Sequence, residues 1–417
     1  MKKVLIVDDD NVVLALVQKR LEQIGGIEVL SATGYKDGVK YLLQHKDDIN
    51  AAIIDLNLPD VAPGVMADYT TKKGIPTIVL TSTVDNDIKK ILLGKDIIDY
   101  IIKDGMKGIN SAIKGVERIL RNYETNVLLV DDSSLQLNIA KKILEKMKLN
   151  VITANDGQEA LNIINKDEIK FSLVITDYNM PNMDGMELTL KIREKFEKDK
   201  LAILVLSAND TPEIPTEFIK IGANDFIYKP YAEIEVVTRV NSNLELMDLF
   251  EKTRDMANKD FMTKAYNRRY FFETGEEIFA KAKNENNNLA VAMFDIDKFK
   301  SINDTHGHDV GDVAICEVAR ILNENLRPKD LMARFGGEEF CVLLKDITLG
   351  ECEELFEKIR AAFESNILKV GDLELKFTTS IGVCYGMESS LEEMIKVSDE
   401  GLYYCKNNGR NQVAFNK

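Results

Sequence analysis

Between Met1 and Leu249, short apolar runs alternate with amphipathic stretches. Val4-Leu-Ile-Val7, Ala52-Ile-Ile54 and Ile78-Val-Leu80 are apolar at each position, whereas Val12 to Ile24 and Leu135 to Met147 carry a helical period. A run with no polar alternation has both faces covered, as in a parallel strand wrapped by helices. The pattern predicts an α/β, doubly wound architecture for this part of the chain. Acidic and hydroxyl residues stand at the ends of the runs. In open α/β sheets, ligands bind at the carboxyl ends of the strands.

The pattern also repeats. Val4-Leu-Ile-Val-Asp-Asp9 returns as Val127-Leu-Leu-Val-Asp-Asp132, and Ala52-Ile-Ile-Asp55-Leu-Asn-Leu-Pro59 as Val174-Ile-Thr-Asp177-Tyr-Asn-Met-Pro181. Ile78-Val-Leu-Thr81 matches Leu204-Val-Leu-Ser207, and Asp99-Tyr-Ile-Ile-Lys103 matches Asp225-Phe-Ile-Tyr-Lys229. The near-constant offset predicts two copies of one domain, at 1–122 and 125–248. From Glu235 to Asn258 there is neither Pro nor Gly, and Val240, Leu244 and Met247 keep a 3–4 spacing. This reads as a helix over 236–260 that ends the second copy, either packed on its own sheet or continuing as a stalk that pairs between protomers. The third region, 255–417, does not resemble the repeat.

Composition narrows the function classes. With 45% hydrophobic and 29% charged residues, the 417-residue chain has the balance of a globular, multidomain protein. No apolar run approaches the roughly 18 residues that span a bilayer. The acidic residues close behind Met1 argue against a secretory signal, so the expected location is the cytoplasm. A net charge of −15 opposes nonspecific DNA binding but leaves room for a nucleotide held by local cations. The five cysteines form no C-x-x-C pair and read as reduced packing residues.

Asp8, Asp9 and Asp55, and their counterparts Asp131, Asp132 and Asp177, crowd three carboxylates together. Unpaired, they repel; a hard divalent cation such as Mg²⁺ resolves the conflict. An aspartate beside that cation can attack a phosphoryl donor, with Thr81 or Ser207 and Lys103 or Lys229 holding the new phosphoryl oxygens. Both copies resemble the receiver domains of two-component response regulators, which have a flavodoxin-like fold. The resemblance implies phosphorylation at Asp55 and Asp177 by a sensor histidine kinase. It implies metal binding by Asp9 and Asp132, helped by Asp8, Asp131 and the carbonyls of Asn57 and Asn179. Tyr100 and Phe226 match the family's aromatic switch. Copy one departs twice: Asp104 follows Lys103 where Pro230 follows Lys229, and Pro59-Asp-Val-Ala-Pro63-Gly64 replaces the spacing of Pro181 to Gly185. These changes mark it as the weaker or differently timed acceptor.

In the third region, Arg334-Phe-Gly-Gly-Glu338-Glu339-Phe340 reads as a tight hairpin turn flanked by strands. A second acidic strand end stands upstream at Phe294-Asp295-Ile-Asp297. Carboxylates from neighbouring strands aimed at one point suit two-metal phosphoryl transfer. Between them lies the polar stretch Lys298 to Asp312. Zinc binding by His306, His308 and Asp312 lacks a closed ligand set.

From Asp260-Phe-Met-Thr263 through Gly336-Gly-Glu-Glu339 to Lys406-Asn-Asn-Gly409-Arg410-Asn411, the region resembles the GGDEF diguanylate cyclases. That family has an α+β, palm-like fold and condenses two GTP to cyclic di-GMP across a homodimer. The resemblance implies metal binding (Mg²⁺, with Mn²⁺ an alternative) by Asp295, the Ile296 carbonyl and Glu338. Either Glu338 or Glu339 assists deprotonation of the ribose 3′-hydroxyl. Asn303 and Asp312 read the guanine edge with His308 nearby, and Lys300, Lys406 and Arg410 hold phosphates. Arg327-x-x-Asp330 stands where the family binds its product as an inhibitor. Thr263-Lys264-Ala265 and Gly401 depart from the commoner residues at packing positions. A non-catalytic cyclic di-GMP effector is the competing reading, and the intact acidic residues count against it.

Overall fold

Runs such as Val4–Val7 have no polar face to turn to water, and each of these residues is fully buried. They become the central strands of parallel sheets. The computed structural model describes residues 1–45, 48–82, 95–166, 168–208 and 214–416. In the first copy, β1 (Lys2–Val7), β2 (Ile27–Ala32), β3 (Ile49–Asp55), β4 (Thr77–Thr81) and β5 (Asp99–Ile102) form a parallel sheet in the order β2-β1-β3-β4-β5. The second copy repeats it with β6 (Asn126–Val130), β7 (Asn150–Ala154), β8 (Phe171–Asp177), β9 (Ala202–Ala208) and β10 (Asp225–Lys229), ordered β7-β6-β8-β9-β10. Helices cover both faces, and each sheet has two apolar cores.

Local caps reinforce this order. Asp10 accepts the Val12 N–H at the start of helix Asn11–Ile24, and Ser133 does the same for Gln136 at helix Ser134–Lys146. Helix Tyr35–Gln44 begins at Gly34, which has no capping side chain. Asp60, in the altered loop of copy one, supplies the cap from across the domain by accepting the Tyr35 and Lys36 N–H groups. The loop change noted in the sequence thus serves a helix start.

Residues Met1–Glu251 form one compact unit and Lys252–Lys417 another. Helix Glu233–Asn258 runs through the boundary. Val236, Val240, Leu244 and Met247 bury its first half against the second sheet, while Leu249 and Met256 lie exposed further along. The reading of a helix packed on its own sheet therefore holds for the first half.

In the second unit, a mixed sheet has the order β11-β13-β14-β12-β17-β18. These are β11 (Tyr266–Asn267), β12 (Leu289–Ile296), β13 (Leu331–Gly336), β14 (Glu339–Lys345), β17 (Thr379–Tyr385) and β18 (Val413–Asn416); β15 (Leu368–Val370) and β16 (Leu373–Leu375) pair separately. Central β12 is antiparallel to both neighbours and buried at all its positions. Helices His308–Asn325 and Leu349–Ser365 cover one face; Arg268–Glu285 and Leu391–Asn407 cover the other. Among the described residues, no helix is long and apolar enough to cross a membrane.

Candidate functional site

The parallel strands bring the repeated acids together. Asp8, Asp9 and Asp55 offer oxygens within 4.8 Å of one another, as do Asp131, Asp132 and Asp177. In each trio the middle residue is exposed and its two companions are buried. Lys103 Nζ donates to Asp55 Oδ2 at 2.7 Å and lies 2.8 Å from Asp8 Oδ2. The second contact is an ion pair without hydrogen-bond alignment, which leaves the buried Asp8 Oδ2 lacking a directed donor. Lys229 Nζ donates to Asp131 at 2.7 Å and to Asp177 at 2.6 Å.

Burial pushes the Asp8 and Asp177 carboxyls above the ordinary carboxylate range, against the pull of their lysines. Burial also favours the neutral amines, yet the paired carboxylates hold Lys103 and Lys229 above the usual ammonium value. A trio of oxygens this close, with one ammonium for three charges and one buried oxygen lacking a donor, fits a hard divalent cation.

Thr81 and Ser207 are buried at the ends of β4 and β9. Asn57 donates its backbone N–H to Asp55 Oδ1, and Asn57 and Asn179 are exposed beside their sites. The aromatic positions differ between copies: Tyr100 is exposed, whereas Phe226 is half-buried and packs edge-on to Tyr228 at 5.3 Å. The Lys229–Pro230 peptide is cis.

In the second unit, β12 carries Asp295 to its end, opposite Glu339 on β14 and Ser380 on β17. The turn before β14 is built on glycine: Gly336 has φ 155° and Gly337 φ 50°, a region that side chains avoid. Arg334 holds this turn by donating twice to the Gly337 carbonyl, at 2.9 and 2.7 Å, and once to Asp260 at 3.0 Å. Asp260 also accepts from the Thr263 amide and hydroxyl. The lead-in residues thereby brace the Gly-Gly turn, a role the sequence did not reveal.

Asp295 is buried, and Lys406 Nζ sits 2.5 Å from its Oδ2. Burial raises the Asp295 carboxyl to about 6 despite this ammonium, with Glu338 and Glu339 pushing the same way. Their repulsion fits a cation there, although Asp295, Glu338 and Glu339 do not approach one another as closely as the two trios above. Lys406, expected at the phosphates, pairs here with Asp295. Ile296 is buried at the strand end.

Asn303 lies in helix Phe299–His306, and His308 opens the next helix after Gly307; His308 and Asp312 are exposed. Gly311 leaves the space that Asn303 Oδ1 fills, and this oxygen is buried without a donor. An orphaned amide oxygen beside an exposed carboxylate can receive a base edge. Lys300 is exposed on the first turn. Arg410 lies in a left-handed turn (φ 64°) next to a cavity of about 510 Å³, which Lys298, His306 and Lys376 also line.

Asp297 anchors that turn. It accepts the Asn411 N–H at 2.9 Å, the Thr378 hydroxyl at 2.7 Å and the Ser380 hydroxyl at 2.6 Å. In the sequence Asp297 stood out only as part of the acidic strand end; its anchoring role is set by the fold. Arg327 donates to Asp330 through Nε at 3.0 Å, a terminal nitrogen at 2.8 Å and its backbone N–H at 2.9 Å, and also to the Lys345 carbonyl. The side chain of Asp330 is fully buried, so the two predicted product-binding groups satisfy each other.

The family model "Response regulator receiver domain" matches residues 4–114 and 127–241, and "Diguanylate cyclase, GGDEF domain" matches 257–412. The response regulator PleD of Caulobacter vibrioides is 32% identical over 253 residues, covering 58% of this chain and 56% of its own. Diguanylate cyclase DosC of Escherichia coli is 35% identical over 171 residues, covering 40% and 37%. The chain thus spans about half the length of the first of these relatives. A solved structure titled as a two-component system response regulator/GGDEF domain protein superposes with TM-score 0.52 at 30% identity, over 60% of this chain and 100% of its own.

Proposed function

Because the chain belongs to the response-regulator receiver family and continues into a GGDEF domain, we propose that it makes cyclic di-GMP under the control of aspartate phosphorylation. Two GTP are condensed, and two pyrophosphates leave. Each 3′-hydroxyl attacks the α-phosphate of the other nucleotide and gives up its proton. The observation that carries this reading is the braced Gly336-Gly337 turn, which sets Glu338 and Glu339 at the end of β12 beside Asp295.

In this reading Asp295, the Ile296 carbonyl and Glu338 hold the divalent metal, Mg²⁺ or Mn²⁺. When bound, it neutralises charge on the phosphates and the attacking oxygen. Glu338 or Glu339 takes the proton. Asn303 and Asp312 receive the guanine N1–H and N2–H, a donor pair that adenine lacks, with His308 at the rim. Lys300, Lys406 and Arg410 bind phosphates. Each domain holds one GTP, so the chemistry requires a homodimer. The exposed Leu249 and Met256, seven residues apart on the long helix, suit such pairing.

Asp55 and Asp177 accept phosphoryl groups from a sensor histidine kinase, with Asp9 and Asp132 as the exposed metal ligands beside Asp8, Asp131 and the Asn57 and Asn179 carbonyls. Thr81, Ser207, Lys103 and Lys229 then bind the phosphoryl oxygens, and Tyr100 and Phe226 report the change. The domains are assigned as 1–122, 125–248 and 255–417, with a stalk over 236–260. Arg327 and Asp330 bind the product as an inhibitor once they release each other. The cytoplasm is the assigned location and DNA is not a partner, consistent with the net charge of −15.

The test is product formation from GTP and Mg²⁺, with and without beryllofluoride as a phosphoryl mimic. Cyclic di-GMP that rises with the mimic, and rises less in Asp177→Asn than in Asp55→Asn, supports the whole reading. Equal product in both conditions removes the switch. No product, with tight cyclic di-GMP binding that Arg327→Ala abolishes, replaces the enzyme by an effector.

A further inference from the structure

Lys406 stands on the last turn of helix Leu391–Asn407 with its side chain about one-third exposed, while the Asp295 side chain it contacts is 6% exposed. Glu338 and Glu339 form no ion pair among the described residues, so Lys406 is the one ammonium paired within the acidic group at the end of β12. Four residues on, Arg410 is exposed, and its side chain has no partner among the described residues. Lys406 and Arg410 are thus in different states: one engaged, one free.

Resting on the cyclase reading, we propose that Lys406 is a resident counter-ion of Asp295, and that its transfer from Asp295 to the nucleotide phosphates couples metal binding to nucleotide binding. An ammonium and a divalent cation drawn to one buried carboxylate repel each other, so metal binding favours the state in which Lys406 has left. A triphosphate gives the departing ammonium a new anion and favours the same state. Two ligands that select one state raise each other's affinity by the same factor. Arg410 is free in either state, so its contribution to nucleotide affinity does not depend on metal. The receiver lysines differ. Lys103 and Lys229 each pair with two aspartates, while a third, Asp9 or Asp132, stands exposed. A metal can enter there without first removing the lysine.

The experiment measures Mn²⁺ affinity by electron paramagnetic resonance of the free ion. It uses the full chain carrying Asp9→Asn and Asp132→Asn, so that the receiver trios do not compete. A non-hydrolysable GTP analogue should tighten Mn²⁺ binding about tenfold in this background. Lys406→Gln should bind Mn²⁺ without nucleotide about tenfold tighter than the parent and gain little from the analogue. Lys406→Arg, which keeps the counter-charge, should retain the weak nucleotide-free affinity. Arg410→Gln should weaken the analogue to the same extent with and without Mn²⁺. Equal nucleotide-free Mn²⁺ affinity in Lys406→Gln and parent overturns the coupling while leaving the cyclase reading in place. Absence of a cyclase Mn²⁺ site in both proteins overturns the two together.

Discussion

Burial drives the Asp295 carboxyl up to about 6 despite the Lys406 ammonium, and Glu338 and Glu339 add to the rise. A raised carboxylate keeps its proton at a higher pH than an ordinary one, and a metal needs the ionised form. Mn²⁺ affinity of the cyclase site should therefore fall by up to about tenfold per pH unit below 6; titrations at pH 7.5 and pH 5 check this, and equal affinities count against it. At Lys264 the residue scale concerns the backbone. Its φ of 60° places a β-carbon in the left-handed region. Lys264→Gly should stabilise the protein by about 0.5–1 kcal/mol, read as a shift in the denaturant midpoint. The departure was visible in the sequence, but its cost was not, because only the folded turn sets φ.

Among the elements, helix Leu391–Asn407 carries Lys406 and leads into the Arg410 turn, and its position depends on glycine. A β-carbon at Gly382 of β17 would lie 2.0 Å from the Ser398 carbonyl oxygen and 2.1 Å from the Leu402 nitrogen. Gly382→Ala must push the helix off the sheet, at a cost of about 3 kcal/mol, and take Lys406 and Arg410 with it. Nucleotide affinity should drop in the fraction that remains folded, measured by titration with the GTP analogue. At Gly401 the nearest atoms are 3.3 Å away, so Gly401→Ala should cost far less. Helix and strand were each legible from periodicity. The closeness of their contact was not, because it belongs to two segments distant in sequence.

At the scale of the receiver unit, the two copies meet through charge. Arg118, on helix Gly105–Asn122 of the first copy, is buried; it donates to Asp248 at 2.8 Å and to Asn122 at 2.7 Å. Arg121 reaches the same Asp248 oxygen at 2.7 Å. Burial pushes the Arg118 guanidinium below its ordinary range, and Asp248 pulls it back. Removing the anion strands a buried cation, whereas replacing the cation with an apolar side chain leaves a partly exposed aspartate still paired to Arg121. Asp248→Ala should therefore destabilise the receiver unit by about 2–3 kcal/mol and Arg118→Met by about 1 kcal/mol or less. Calorimetry of the full chain checks the order, and the reverse order would deny the buried charge its role. Asp248 lies on the long helix Glu233–Asn258, so the first copy touches the output helix of the second directly.

The sequence by itself determined the repeated α/β pattern, the chemistry gathered at the strand ends and the family resemblance. Strand periodicity, turn glycines and acid spacing are local properties of the chain. Tertiary structure alone decided which charges meet. It put Lys406 on Asp295, closed Arg327 on Asp330, and gave the start of helix Tyr35–Gln44 its cap from Asp60. It also made Asp297 the anchor of the Arg410 turn and Arg118 the tie between receivers. Such contacts join residues far apart in sequence or choose among several oppositely charged partners. Distance and burial, which arise only on folding, set the strength of each choice.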